Sequence, residues 1–260
     1  MSAETARQQE ETPLISVIMP AYNSRNTLGE AVDSVRQQTF VRWELFIVDD
    51  GSSDRTRELA REYAQSDARI RLLSTTDHTG NPAAPRNLGL DSARGEFIAF
   101  LDADDVWSPN KLEHQLAYLI EQQLDLCGTW VKVINADGEQ TGYRRPTSRV
   151  TFESLLIHNT LVCSSVLMRA RWAQEQRFPS MGHEDYAYWL GLIRAGARAA
   201  VMPKVLVSYR MHKNSLSANK LKVIPFFWRI YREQEQFSFG SSLYFTLRYL
   251  LLASWRVVKP

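Results

Sequence analysis

The chain has 260 residues, 44% apolar and 23% charged, with a net charge of +2, a composition that excludes disordered and collagen-like classes and fits one large globular domain or two small ones. Two cysteines, Cys127 and Cys163, without CxxC spacing, exclude a disulfide scaffold and fit a reducing, cytoplasmic compartment. The polar start MSAETARQQEETP has no signal-peptide core, and no apolar run reaches the roughly 18 residues of a spanning helix, so neither secretion nor a membrane span is expected.

The elements follow in a regular order. Leu14 to Met19 reads as a buried strand ended by Pro20, and Thr27 to Gln38 has helical apolar spacing. Trp43 to Val48 is a second strand stopped by Asp49-Asp50-Gly51, after which Ser53 or Asp54 caps a helix to about Ser66. Ile70 to Leu73 is a third strand, followed by a loop rich in Gly, Pro and Asn from Thr76 to Pro85. A helix over Arg86 to Ala93 and a strand over Phe97 to Leu101 complete the first half. Such alternation predicts βαβ units, a mainly parallel sheet, and a ligand at the carboxyl ends of its strands.

The second half is less regular. A helix over Pro109 to Gln122 precedes a strand over Cys127 to Asn135 and a hairpin turn at Ala136 to Glu139. Thr151 to Ile157 and Asp185 to Ala195 read as helices, Ser164 to Arg169 and Val205 to Arg210 as strands. Charge is uneven: residues 201–260 hold ten Lys and Arg against two Glu, leaving the first 200 residues acidic. An acidic body with a basic, aromatic tail suits a metal or sugar site in one and an anionic surface near the other; a solvated helix face accounts for the tail equally well.

Five acids stand where strands end: Asp49 and Asp50, then Asp102, Asp104 and Asp105. At one crevice they would repel unless a cation or donors offset them, and oxygen-only ligands suit Mg²⁺ or Mn²⁺ shared with substrate phosphates. Helix capping and turn formation are the alternative use of such residues.

The stretches Ser16 to Asn23, Val48 to Asp54, Arg86 to Gly89, Phe100 to Asp105, Glu184-Asp185 and Tyr209 to His212 together resemble the family 2 glycosyltransferases. The resemblance covers about residues 13 to 217. It implies the GT-A fold, an α/β/α sandwich with a mainly parallel central sheet, here with a C-terminal helical tail. By the same resemblance, residues 1–12 form a flexible tail and 13–210 the catalytic domain, with a nucleotide-binding half over 13–105 and an acceptor-binding half over 106–210. Residues 211–260 are then a basic aromatic tail.

The resemblance also implies roles. Pro20, Ala21 and Tyr22 line the nucleobase pocket, Asp50 accepts a hydrogen bond from the base, and Arg86 reaches the diphosphate, where an ion pair at a helix start is the other reading. Asp102 contacts ribose, Asp104 binds the Mn²⁺ or Mg²⁺ ion, and His212 is a further metal ligand or orders a surface loop. Asp185 is the general base at a helix start, with Glu184 the runner-up and a simple N-cap the alternative. The implied enzyme is an inverting, metal-dependent transferase moving one sugar from a nucleotide sugar, a UDP-sugar, to a saccharide acceptor, lipid-linked, for a bacterial surface polysaccharide. The Gln-x-x-Arg-Trp motif of processive synthases is absent, which favours a single addition.

The tail segments Phe226 to Arg232 and Leu243 to Trp255 fit an interfacial helix on an anionic membrane, or a helix packed on the body or on a second subunit. A cytoplasmic enzyme is expected, peripheral to the inner face of the membrane in the first of these cases, with no nucleic-acid partner. Two rivals remain: a phosphatase of the haloacid dehalogenase kind using Asp102 and Asp104, and a catalytically inactive transferase-like module. A dehydrogenase is disfavoured because no GxGxxG follows the first strand.

Overall fold

The computed structural model describes residues 13–211 and 224–255, with side chains to residue 249. Strands β1 (Ile15–Ala21), β2 (Trp43–Asp49), β3 (Ile70–Ser74) and β4 (Phe97–Phe100) alternate with helices α1 (Leu28–Arg36), α2 (Thr56–Ser66) and α3 (Ala83–Ser92). The chain continues through β5 (Val106–Trp107), α4 (Lys111–Glu121), β6 (Leu126–Ile134), β7 (Gln140–Arg144) and β8 (Arg149–Val150). Then come α5 (Phe152–Ile157), a 3₁₀ turn at Cys163–Ser165, β9 (Leu167–Arg169), α6 (Arg171–Glu175), α7 (Glu184–Arg194) and β10 (Ala199–Arg210). Helix α8 (Ile224–Arg229) runs into a π-helical stretch at Ile230–Gln234, and α9 (Phe239–Trp255) closes the described chain.

The strands form one sheet in the order β3-β2-β1-β4-β9-β6-β10-β5, with β7 beside β6 and β8 beside β10. β1, β2, β3 and β4 are mutually parallel. β9 is antiparallel to both β4 and β6, so β6 and its parallel partner β10 run the same way as β4. The carboxyl ends of β1, β2, β4, β6 and β10 therefore share one edge of the sheet. Alternation along β1 sends Val17 and Met19 to one face and Ile18 to the other. On the first face they meet Leu28, Val32 and Val35 of α1 and Leu112 and Leu119 of α4; on the second, Ile18 and Phe100 meet Tyr186, Trp189 and Leu190 of α7. Helices on both faces of a mainly parallel sheet make the α/β/α sandwich.

Several expected boundaries move, and β10 begins at Ala199, six residues before the expected Val205. Pro20 does not end β1, which continues to Ala21 opposite Asp49. Pairing with β4 stops at Ile18↔Phe100, so Pro20 lies beyond the two-sided part of the sheet, where its missing N–H costs little. Helix α3 starts at Ala83 and not at Arg86, because Pro85 falls in its first turn, where no N–H is needed. The strand expected from Ser164 is divided: Cys163–Ser165 turns before β9 begins at Leu167. Beyond residues 212–223, Phe227, Ile230 and Tyr231 are buried in the same cluster as Tyr186 and Trp189, so α8 is packed on the body.

Candidate active site

Two turns meet at the carboxyl ends of β1 and β2. Asn23, in a left-handed conformation with φ 47°, accepts hydrogen bonds from the N–H groups of Ser53 and Asp54 through Oδ1. Asp54 in turn accepts the Thr56 N–H, which starts α2. Asp50 is buried, and its carboxylate receives the Thr75 hydroxyl at 2.9 Å, the Thr79 N–H at 3.1 Å and the Thr79 hydroxyl at 2.9 Å. Nδ1 of His78 lies 2.9 Å from Asp50 Oδ2, and the imidazole stacks on the exposed Tyr22 ring, with centroids 3.8 Å apart and planes 12° from parallel. Gly51, at φ +73°, lets this loop pass: a Cβ there would stand 2.9 Å from the His78 backbone nitrogen.

The loop after β4 is fixed from two sides. The Asp102 N–H donates to the Ser164 hydroxyl at 3.0 Å, and Trp107 Nε1 donates to the Ser164 carbonyl at 2.8 Å. Arg210, at the end of β10, donates its backbone N–H to Asp105 at 2.7 Å and its Nε to the Asp104 carbonyl at 2.9 Å. Its guanidinium continues to the Ala136 carbonyl and to Glu30. Burial, then the charges of Asp104 and Asp102, push the Asp105 carboxyl well above its usual range. Asp105 is thus a structural acid, and the loop presents Asp102 and Asp104.

Arg86 joins this loop to α7. The α3 register turns its side chain into the protein, where one terminal nitrogen donates to Asp102 Oδ1 at 2.6 Å and the other to Glu184 Oε1. Next to Glu184, half-buried Asp185 accepts the Tyr186 N–H at 2.7 Å. Burial chiefly, and then the neighbouring Glu184 carboxylate, push Asp185 up to about 7, against the lowering influence of Arg86. Residue His183 before them is left-handed at φ 58°, a strained position for a side chain, and burial lowers its pKa. Its ring packs against Phe227 of α8 at 5.0 Å between centroids.

The expected residues fall into two groups. Arg86, Asp102, Glu184 and Asp185 are brought together, with Asp104 on the same loop as Asp102; Pro20, Ala21, Tyr22 and Asp50 lie at the β1–β2 edge. Arg86, expected at a diphosphate, is instead buried with both terminal nitrogens on carboxylates, because α3 begins early enough to aim it inward. Asp50, expected to receive a base, already receives Thr75, Thr79 and His78. The five acids do not share one cluster, and among the described residues no group of three or more His, Cys, Asp or Glu side chains is arranged to hold a metal ion. His212 lies outside the described residues. Sequence reasoning assigned nothing to His78, His183, Ser164 or Arg210. Arg210 alone carried a signal, its place in the Tyr209 to His212 motif.

The profile of glycosyl transferase family 2 matches residues 16–177. TuaG of Bacillus subtilis, a glycosyltransferase named for teichuronic acid biosynthesis, is 33% identical over 239 residues, 91% of this chain and 94% of that one. WfgD of Escherichia coli, named a UDP-Glc:alpha-D-GlcNAc-diphosphoundecaprenol beta-1,3-glucosyltransferase, is 32% identical over 92% of this chain and 93% of its own. Among solved structures, Staphylococcus aureus TarS in complex with UDP-GlcNAc superposes with a TM-score of 0.72 at 22% identity, over 91% of this chain and 71% of that one. The mannosyltransferase PcManGT of Pyrobaculum calidifontis, in complex with GDP-Man and Mn²⁺, gives 0.68 at 19% over 97% and 77%. The chain belongs to glycosyl transferase family 2 and is a glycosyltransferase of GT-A fold. A phosphatase reading of the loop after β4 is set aside by this membership.

Proposed function

We propose that the protein transfers one sugar from a UDP-sugar, with inversion, to a lipid-linked saccharide acceptor during polysaccharide assembly. The observation that carries this reading is the Arg86 bridge, which holds Asp102, at the end of β4, and Glu184, beside Asp185, to a single guanidinium. A donor-side acid and the neighbour of a candidate base are thereby held to one guanidinium. The relatives named for UDP-glucose and a diphosphoundecaprenol acceptor support the substrate classes.

In this reading Tyr22, with Pro20 and Ala21, faces the nucleobase, Asp50 receives its N–H donor once His78 withdraws, and Asp102 meets the ribose. The acceptor hydroxyl attacks the anomeric carbon from the face opposite the diphosphate. Its oxygen forms the new glycosidic bond, the bond to the diphosphate oxygen breaks, and the proton passes to Asp185 Oδ. A carboxyl raised to about 7 is basic enough to accept that proton and still ionised in a useful fraction near neutrality.

Asp104, on the loop that Arg210 and Ser164 fix, is the described residue that would hold Mn²⁺ or Mg²⁺; His212, the other ligand expected, lies outside the described residues. The donor set fits such ions, which commonly take one or two protein carboxylates and complete their shell with water and phosphate oxygens, so a preformed three-acid cage is not required. When bound, the cation neutralises charge on the departing diphosphate. The test is incubation with UDP-sugars and a GlcNAc-diphospholipid acceptor, with the anomeric configuration of the product read by NMR. A β-linked product from an α-linked donor is expected. An α-linked product would sink inversion, and no turnover with any UDP-sugar would sink the donor class.

A further inference from the structure

We propose that the outward face of α9, formed by Phe239, Leu243, Tyr244 and Leu247, rests on an anionic lipid surface. The inference deepens the reading of a lipid-linked acceptor, and rests on it for its biological purpose, by naming the surface that meets the bilayer.

The helix is apolar on both sides: Phe245 and Tyr249 pack on the body, and a second apolar stripe faces away from it. Its inward positions include two small hydroxyl residues, Ser242 at 0% and Thr246 at 4% exposure, and Thr246 spends its hydroxyl on the Ser242 carbonyl at 2.7 Å. Phe239 at 65%, Leu243 at 42%, Tyr244 at 56% and Leu247 at 50% face outward. At about 100° per residue these four span one continuous arc, with Arg248 at its margin. Trp228 of α8 extends the stripe, its ring meeting Phe239 edge to face at 5.3 Å. Inward-facing Tyr249 stacks on Phe227 at 3.8 Å, so the helix is anchored and its apolar stripe is held outward.

Charge selects the occupant. No Asp or Glu occurs from residue 236 to 260, and the one charged residue of α9 is Arg248. Arg248 donates to the Tyr244 hydroxyl at 3.0 Å, setting a cation at the rim of the apolar stripe. A second copy of the same face would bring like charges together. Anionic headgroups complement them, with the aromatic rings at the interface and the leucines below. No helix among the described residues is long and apolar enough to cross a membrane, and the proposed contact is therefore made by the side of α9. Through Phe227 against His183, the docked element also contacts the turn that carries Asp185.

Co-flotation of the full chain with vesicles of phosphatidylcholine, with and without phosphatidylglycerol, tests the proposal. The wild type is expected to float with the anionic vesicles and only weakly with the neutral ones. Leu243→Ser with Leu247→Ser should reduce the bound fraction about tenfold or more, and Arg248→Gln should weaken only the anionic preference. Turnover with a water-soluble saccharide acceptor should survive in each variant. Equal flotation of wild type and double variant, or a wild-type dimer that the double variant turns into a monomer without any vesicle binding, would overturn the proposal. Flotation as expected without transfer to any acceptor would leave the surface standing and sink the transferase reading instead.

Discussion

The imidazole of His78 lies flat on the phenol ring of Tyr22, 3.8 Å between centroids, while its Nδ1 stands 2.9 Å from Oδ2 of Asp50. A planar ring that stacks on Tyr22 and offers an in-plane N–H to Asp50 makes both contacts assigned to the uracil of the donor. Ring and base compete for the same two partners. Removing the competitor, His78→Ala is expected to tighten UDP binding by about 2- to 10-fold, the worth of one hydrogen bond exchanged. Isothermal titration measures it, and weaker binding by the variant would show that His78 helps to hold the base.

Asp185→Asn should abolish transfer, by a factor of about 10² or more, and leave UDP affinity nearly unchanged. In the wild type the rate should rise with pH through about 7 as Asp185 ionises. Stability runs the other way. The folded carboxyl is raised from 3.8, so its favourable protonation is fully present below that value and lost as pH rises through about 7. At pH 8 the Asn variant should therefore be more stable, by on the order of 2 kcal/mol given that Glu184 interacts with it. Thermal melts at pH 5 and pH 8 read the sign: a gap that shrinks as pH rises contradicts it.

Arg86→Met leaves Asp102 and buried Glu184 without their shared cation and should cost about 3–5 kcal/mol. Adding Glu184→Gln to that variant should restore part of the loss, because one of the stranded charges disappears. Urea titration of the two single variants and the double variant measures the coupling. Additive losses would mean that the bridge has no energetic content.

Gly182 has no room for a side chain: a Cβ would stand 2.5 Å from the Phe226 ring. Gly182→Ala should displace α8 at a cost of about 1–3 kcal/mol. It should also lower kcat more than donor affinity, since His183 and Asp185 follow directly. A variant with wild-type melting temperature and kcat would show that Phe226 yields without consequence.

Much of the sandwich was legible because its first four strands are short apolar runs separated by helical spacing, a pattern set by burial on both faces. β5 and β8 escaped notice since two residues carry no periodicity; long-range pairing alone makes Val106–Trp107 and Arg149–Val150 strands. The Asp102–Asp104 loop and the Glu184–Asp185 helix start were readable as positions. Their contacts were not, because Arg86 meets a residue 98 positions away and His78 meets Asp50 across a loop without regular structure. An arginine at a helix start looks the same in sequence whether it reaches out to phosphate or turns inward, and the early start of α3 decides which.

One guanidinium drawing on residues 102 and 184 has a consequence for how the protein can be divided. Cut between β4 and α7, one fragment would keep Arg86 with Asp102 and the other would hold Glu184 beside Asp185 with no counter-charge. Neither piece could settle its interior alone. Split-gene complementation should accordingly succeed only when both fragments are made together, each serving as the missing ion of the other.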